Sequence, residues 1–193
     1  LPIFLSVLVV VIGCHYLWLA LLYGLASLYS KQNSWRVLRH YGPAYLTALG
    51  TMSSAATLGT SLACAGRSPL LRKEIIDVMV PLFSNIHLCG SILTETFFVM
   101  TVSQVLYGYL PDPTTMAVFI LLLGLFAIGA PGVPGGTVLA SLGLIISIVG
   151  FDEAGTALLL TIFALQDSFG TACNVTGDGA LTLIVDTFEK KSN

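Results

Sequence analysis

The 193-residue chain is 55% hydrophobic and only 9% charged, with 10 acidic against 8 basic residues, whereas an average soluble domain carries about 25% charge. This composition excludes an ordinary soluble domain and marks an integral, all-α membrane protein. The net charge of −2 identifies no partner, because the placement of charges in a membrane chain matters more than their sum, and nothing in the sequence predicts a nucleic-acid partner.

Residues 1–29 are an almost unbroken apolar run without a basic leader or a small-residue cleavage site. They are predicted as a tilted transmembrane helix rather than a signal peptide, and the chain reads as a fragment. His15 is expected to be a packed core or interface histidine. The following segment, 30–41, carries Lys31, Arg36, Arg39 and His40 and belongs at a membrane surface.

Residues 43–66 have two apolar arms around small and hydroxylated residues, TMSSAATL. Each arm reaches about half a bilayer at 1.5 Å per residue, so a re-entrant helical hairpin is predicted with Ser53 and Ser54 at its tip. Arg67, Arg72 and Lys73 follow it. The basic flanks place both hairpin ends on the cytoplasmic side.

Residues 75–107 are predicted as a second span, broken near SNIHLCGS, where an unwound segment at mid-depth would free carbonyls for a cation. Glu95, one turn beyond Ser91, is an intramembrane acid, either hydrogen-bonded in the core or proton-coupled. His87 is open between the same two roles. Residues 108–113 contain no Lys or Arg and suit the outer face. Residues 114–150 form a second hairpin, entering from outside, because the two prolines and four glycines of GAPGVPGG forbid continuous helix. The last span, 154–188, carries Asp167, Thr171, Asn174 and Asp178 at helical spacing, which makes one polar stripe. A charge at the centre of a span costs at least ~2.5–3.5 kcal/mol, so the stripe must face protein or a watered cavity. Lys190 and Lys191 then return the C-terminus to the cytoplasm.

All eight Lys and Arg therefore fall on one face, and a helix–hairpin pair is repeated in opposite orientation. Paired broken segments of this kind point to a transporter site near the bilayer midplane. An aspartyl protease is excluded as an alternative: eleven residues of helix separate Asp167 and Asp178 by about 16 Å, too far to share a proton. Cys14, Cys64, Cys89 and Cys173 lie in apolar or small-residue segments without CxxC spacing, so neither a disulfide framework nor zinc is predicted.

TMSSAATL, GAPGVPGG and D-x3-T-x2-N-V-T-G-D, from Asp167 to Asp178, together resemble the dicarboxylate/amino acid:cation symporter family, the glutamate transporter homologues. The resemblance covers essentially the whole chain. It implies a transport domain lacking its N-terminal helices, among them the scaffold through which the family forms homotrimers. It also implies elevator-type movement driven by a sodium gradient; with no eukaryotic targeting segment visible in the sequence, the expected location is the plasma membrane of a prokaryote.

By position, the resemblance assigns the substrate ammonium to Asp167 and further substrate contacts to Thr171, Asn174, Ser53, Ser54, Ser91, Val133 and Thr137. It implies one sodium at Asp178 with carbonyls of Phe83, His87 and Asn174, and a second at carbonyls of Asn85, Ala127, Ile128 and Ala130. Glu95 resembles an acid that the vertebrate branch links to counter-transport. Three departures follow. Gly170 and Met52 stand where acidic-substrate members carry an arginine, so a small neutral amino acid fits better than glutamate, aspartate or a dicarboxylate. The family's NMDGT is HLCGS here, which removes an amide and a carboxylate of another sodium site. Fewer sodium ions, or proton coupling through His87 or Glu95, are then open, as is a truncated remnant that no longer transports.

Overall fold

The computed structural model describes residues 2–192, and all its regular structure is helical; Leu1, at the start of the first predicted span, lies outside the described residues. Helix α1, Pro2–Ser30, buries Val11, His15, Leu19, Leu22 and Ala26 on one face, the three-and-four spacing that a packed helix requires. Its other side leaves Leu5, Leu17 and Leu28 at least 64% exposed, a surface that suits hydrocarbon or further protein. A short helix, α2 at Trp35–Leu38, was not foreseen.

The first hairpin is α3, Gly42–Thr51, with α4, Ser54–Gly66. Its reversal takes two residues. Met52 adopts the left-handed backbone region at φ 51°, and Ser53 is extended and caps α4 by accepting from the Ala56 N–H at 3.1 Å.

The next span is α5, Lys73–Ile86, and α6, Cys89–Val102, continued by a π turn at Ser103–Tyr107. The break is narrower than expected: only His87 and Leu88 leave the helix, while Gly90 and Ser91 already belong to α6. The second hairpin joins α7, Pro113–Ala127, to α8, Gly136–Leu144, with a further π turn at Ile145–Val149. Pro131 and Pro134 fall in the connection between them, where their missing N–H groups interrupt no helix.

The last pair is α9, Glu153–Gln166, and α10, Ser168–Ser192, bent by 56° at Asp167. The polar stripe is therefore not carried by one straight helix: Asp167 stands at the bend, and Thr171, Asn174 and Asp178 follow along α10. By length and composition, two helical stretches can cross a membrane, Ile3–Ser30 and Lys73–Tyr107, and the bent pair makes up to three.

Helix α10 is the centre of the molecule although it is among the least apolar helices. It packs against α1, α3, α5 and α6, and every residue from 170 to 180 is buried. One apolar cluster joins α1, α3, α4, α5 and α10 through residues such as Leu22, Tyr41, Val80 and Leu183. A second joins α6, α7, α8 and α9 through Phe98, Phe119, Val138 and Phe163. The contact of α6 with α10 links the two clusters.

The basic segments gather at one end. Arg72 Nε and its backbone N–H donate to Asp186 Oδ1 at 2.9 and 3.2 Å, and Lys190 pairs with the other carboxylate oxygen. Lys191 Nζ donates to the Tyr29 carbonyl at 3.3 Å and lies 4.2 Å from the centre of the Tyr29 ring. Ser68 Oγ donates to the Arg36 carbonyl at 3.3 Å. The C-terminal segment and the basic connections expected on one membrane face are thus adjacent.

Asp152 caps α9, accepting from the Gly155 N–H at 2.9 Å, and also accepts from the Tyr107 hydroxyl at 2.6 Å. The Tyr107 hydrogen bond, with help from Gly155, holds the Asp152 carboxyl below its ordinary value of 3.8. The folded chain therefore binds this proton less readily than the unfolded chain. The stabilisation is complete above the ordinary value and is lost as pH falls through the lower folded one. Asp152→Asn is expected to flatten the decline of melting temperature between about pH 5 and pH 3. An equally steep decline in the variant would remove this cap from the acid response.

Candidate substrate and ion site

The hairpin tips touch each other. Ser53 Oγ donates to the Gly132 carbonyl at 2.5 Å, and the Ala55 N–H approaches the same oxygen at 3.4 Å. One serine therefore caps α4 and tethers the opposite hairpin, a double use allowed because a hydroxyl both accepts and donates.

Behind this contact lies a narrow polar cavity of about 20 Å³, lined from the tips by Met52, Ser54, Pro131, Gly132, Val133, Gly136 and Thr137, and from the helix breaks by Leu88, Ser91, Asp167, Thr171 and Asn174. Seven of the eight expected substrate residues line it. Ser53 does not, and acts through Gly132. Sequence reasoning missed Leu88, Pro131, Gly132 and Gly136, and noted Met52 only as a missing arginine. The tip motifs carried the signal for these residues, but which side of an irregular turn faces inward is not periodic in sequence.

Asp167 is 5% exposed. Its Oδ2 accepts from Ser91 Oγ at 3.1 Å and from Thr171 Oγ1 at 3.4 Å, whereas Oδ1 is buried without a hydrogen-bond partner. Asn174 fixes the floor: its Oδ1 accepts from the Gly90 N–H at 2.7 Å, and its Nδ2 donates to Ser91 Oγ at 2.9 Å. Ser91 is thus held with its hydrogen directed at Asp167. A buried carboxylate oxygen without a donor is costly, and a cationic ligand group would supply that donor.

Among the described residues no Lys or Arg lines the cavity. Position 170 has no room for one. A Cβ built on Gly170 would lie 3.0 Å from Thr94 Oγ1 and 3.1 Å from Ser91 Cα, besides overlapping Asp167 Oδ1.

Of the residues expected at the first sodium position, His87, Asn174 and Asp178 come together, but around a side chain. His87 Nδ1 lies 2.9 Å from Asp178 Oδ1 and 3.1 Å from the Asn174 carbonyl. Both are acceptors, so this nitrogen carries the hydrogen and donates. The Phe83 carbonyl accepts from the His87 N–H at 2.8 Å. At the second expected position, Leu88 packs with Ala127 and Ala130, so the break between α5 and α6 lies against the C-terminal end of α7. Ala127 accepts from the Ala130 N–H at 3.0 Å, Ile128 is exposed, and Asn85 donates its amide to the Pro81 carbonyl at 2.9 Å. Helix C-termini carry partial negative charge and free carbonyl lone pairs, which suits a hard cation.

Glu95, fully buried, accepts from Ser141 Oγ of α8, so it ties α6 to the second hairpin. His15 Nε2 lies 3.0 Å from the Gly90 carbonyl and 3.1 Å from Thr94 Oγ1, a packed interface histidine. The four cysteines are free thiols.

Two hairpin tips and two helix breaks around a buried carboxylate, among helices long and apolar enough to cross a membrane, define an all-helical membrane fold. The chain matches the sodium:dicarboxylate symporter family over residues 1–188 and belongs to it. It is 28% identical over 149 residues to excitatory amino acid transporter 2 of Homo sapiens, an overlap covering 77% of this chain and 26% of that protein. It is 28% identical over 169 residues to neutral amino acid transporter B(0) of Homo sapiens, covering 86% and 31%. An excitatory amino acid transporter of Caenorhabditis elegans is 28% identical over 161 residues, covering 83% and 32%. The chain thus spans about a third or less of the length of these curated relatives.

Proposed function

We propose that this chain is the substrate- and ion-binding part of a secondary symporter that takes up a small neutral amino acid with sodium. The observation that carries the reading is Asp167 Oδ1, a buried oxygen without a donor on the wall of a polar cavity. A substrate ammonium group satisfies it with a charge-assisted hydrogen bond. The amino acid's carboxylate is read at the N-termini of α4 and α8, whose first N–H groups lie at the hairpin tips. Thr171 and Asn174 complete the contacts.

The absence of a lining guanidinium, together with the crowding at Gly170, supports a neutral rather than an acidic side chain. The sodium:dicarboxylate symporter family supports sodium as the coupling ion, and the α5–α6 break with the C-terminal end of α7 against it is its proposed seat. A cation bound there offsets the carbonyl dipole of the α7 end, so the second hairpin packs down and closes the cavity. Elevator-type movement, trimer formation through further helices, a plasma-membrane location and a cytoplasmic C-terminus belong to the same proposal. Glu95 keeps proton coupling in view, because its hydrogen bond to Ser141 connects an intramembrane acid to that hairpin.

The test is thermal stabilisation of the intact protein by a panel of amino acids in sodium or in choline. A ligand that binds only the folded state raises the melting temperature by mass action. Stabilisation by alanine, serine or a similar neutral amino acid in sodium alone is expected. Stabilisation by glutamate, aspartate or succinate instead would overturn the substrate assignment.

A further inference from the structure

The position beside Asp178 is filled by the chain itself. His87 lies at the α5–α6 break, where its backbone leaves the helix at φ −98° and ψ 88°. Its ring points into α10 and presents one N–H to two oxygens at 2.9 and 3.1 Å. Those oxygens, the Asp178 carboxylate and the Asn174 carbonyl, are two of the donors that a sodium at this place would need. A cation between them would meet the imidazole N–H, a donor whose positive end already faces the carboxylate. The ring is also seated from behind, because α10 has no side chain at Gly177, where a Cβ would lie 2.5 Å from Cε1 and 3.4 Å from Nδ1. His87 and Asp178 are 6% and 0% exposed, so the pair is enclosed.

We propose that His87 is a built-in occupant of this position. The imidazole N–H takes Asp178 Oδ1 and the Asn174 carbonyl together and leaves only Asp178 Oδ2 without a partner, so the donors the ring bridges do not form an open sodium site, and the protein works with one ion position fewer than the resemblance implies. The inference rests on the sodium-coupled reading only for its consequence for coupling. The occupancy itself stands on the geometry. Removing the ring while keeping Asp178 and the Asn174 carbonyl therefore creates a cation site instead of destroying one.

The experiment uses the intact protein with sodium chloride titrated against choline chloride, and thallium(I) as a heavy-atom probe of cation sites in crystals. His87→Ala, and His87→Asn as the milder replacement should the first fail to fold, are expected to gain a sodium response steeper by about one ion than that of the wild type. Adding Asp178→Asn to either variant is expected to cancel the gain. Wild-type crystals soaked in thallium(I) are expected to show no ion beside Asp178, and His87→Ala crystals to show one. A thallium(I) ion beside Asp178 in the wild type, or a His87 variant without the extra sodium response, overturns the proposal. A wild type that ignores sodium altogether sinks the sodium-coupled reading, whereas a response created by His87→Ala and cancelled by Asp178→Asn still upholds the built-in occupant.

Discussion

Asp167→Asn is expected to weaken binding of the amino acid substrate by about 30-fold or more, while the melting temperature without substrate stays level or rises. Truncating one partner of a buried charge pair costs roughly 2–5 kcal/mol, and each 1.4 kcal/mol is tenfold in affinity. The apo effect has the opposite sign for a local reason. Asp167 Oδ2 is already held by Ser91 and Thr171, and an asparagine oxygen can take the same two hydrogen bonds. What the variant loses is Oδ1, a buried charged oxygen without a donor in the empty cavity, and a neutral isostere relieves that cost. Calorimetric titration with the neutral amino acid, paired with melting of the apo protein, reads both halves. Affinity within threefold of wild type would remove Asp167 from the ammonium site.

Gly170→Arg is expected to abolish binding of the neutral amino acid without creating a glutamate site, and to lower the melting temperature by about 5 °C. By charge alone, an added arginine converts the cavity for acidic substrates. The packing opposes this, because the first atom of any side chain at 170 meets Thr94 Oγ1, the Ser91 backbone and the Asp167 carboxylate. Overpacking of this kind costs about 1–3 kcal/mol, or about 2–4 °C per kcal/mol for a chain of this size. It also displaces Ser91, which orients Asp167. Gly170→Ala isolates the effect of that first atom and is expected to show most of the loss. A stable Gly170→Arg protein that binds glutamate would show that α6 and α10 can separate enough to admit a guanidinium.

Much of this architecture was legible because lipid imposes a strong rule: backbone polar groups must pair within helices, so breaks in apolar runs stand out. GAPGVPGG could be read as a hairpin tip from its prolines alone, and the Asp167 stripe as an inward face from the cost of charge in hydrocarbon. The bend at Asp167 was not legible, since no proline or glycine stands at that position and tertiary packing of α9 against α6 and α8 sets it. The break at His87 and Leu88 was read too wide, because Gly90 and Ser91 are poor helix formers by propensity but are drawn into α6 through the Asn174 hydrogen bonds. Least legible was the role of the His87 side chain. Its position suggested a carbonyl ligand or a proton carrier, and only the fold shows that its ring reaches Asp178, 91 residues away in the chain.

The most direct test of the central claim is uptake of a labelled small neutral amino acid by proteoliposomes containing the intact protein, with an inward sodium gradient or with choline in its place. Concentrative uptake that requires the sodium gradient, and that Asp167→Asn abolishes, is the predicted result. Uptake that is indifferent to sodium, or that survives Asp167→Asn, would contradict it.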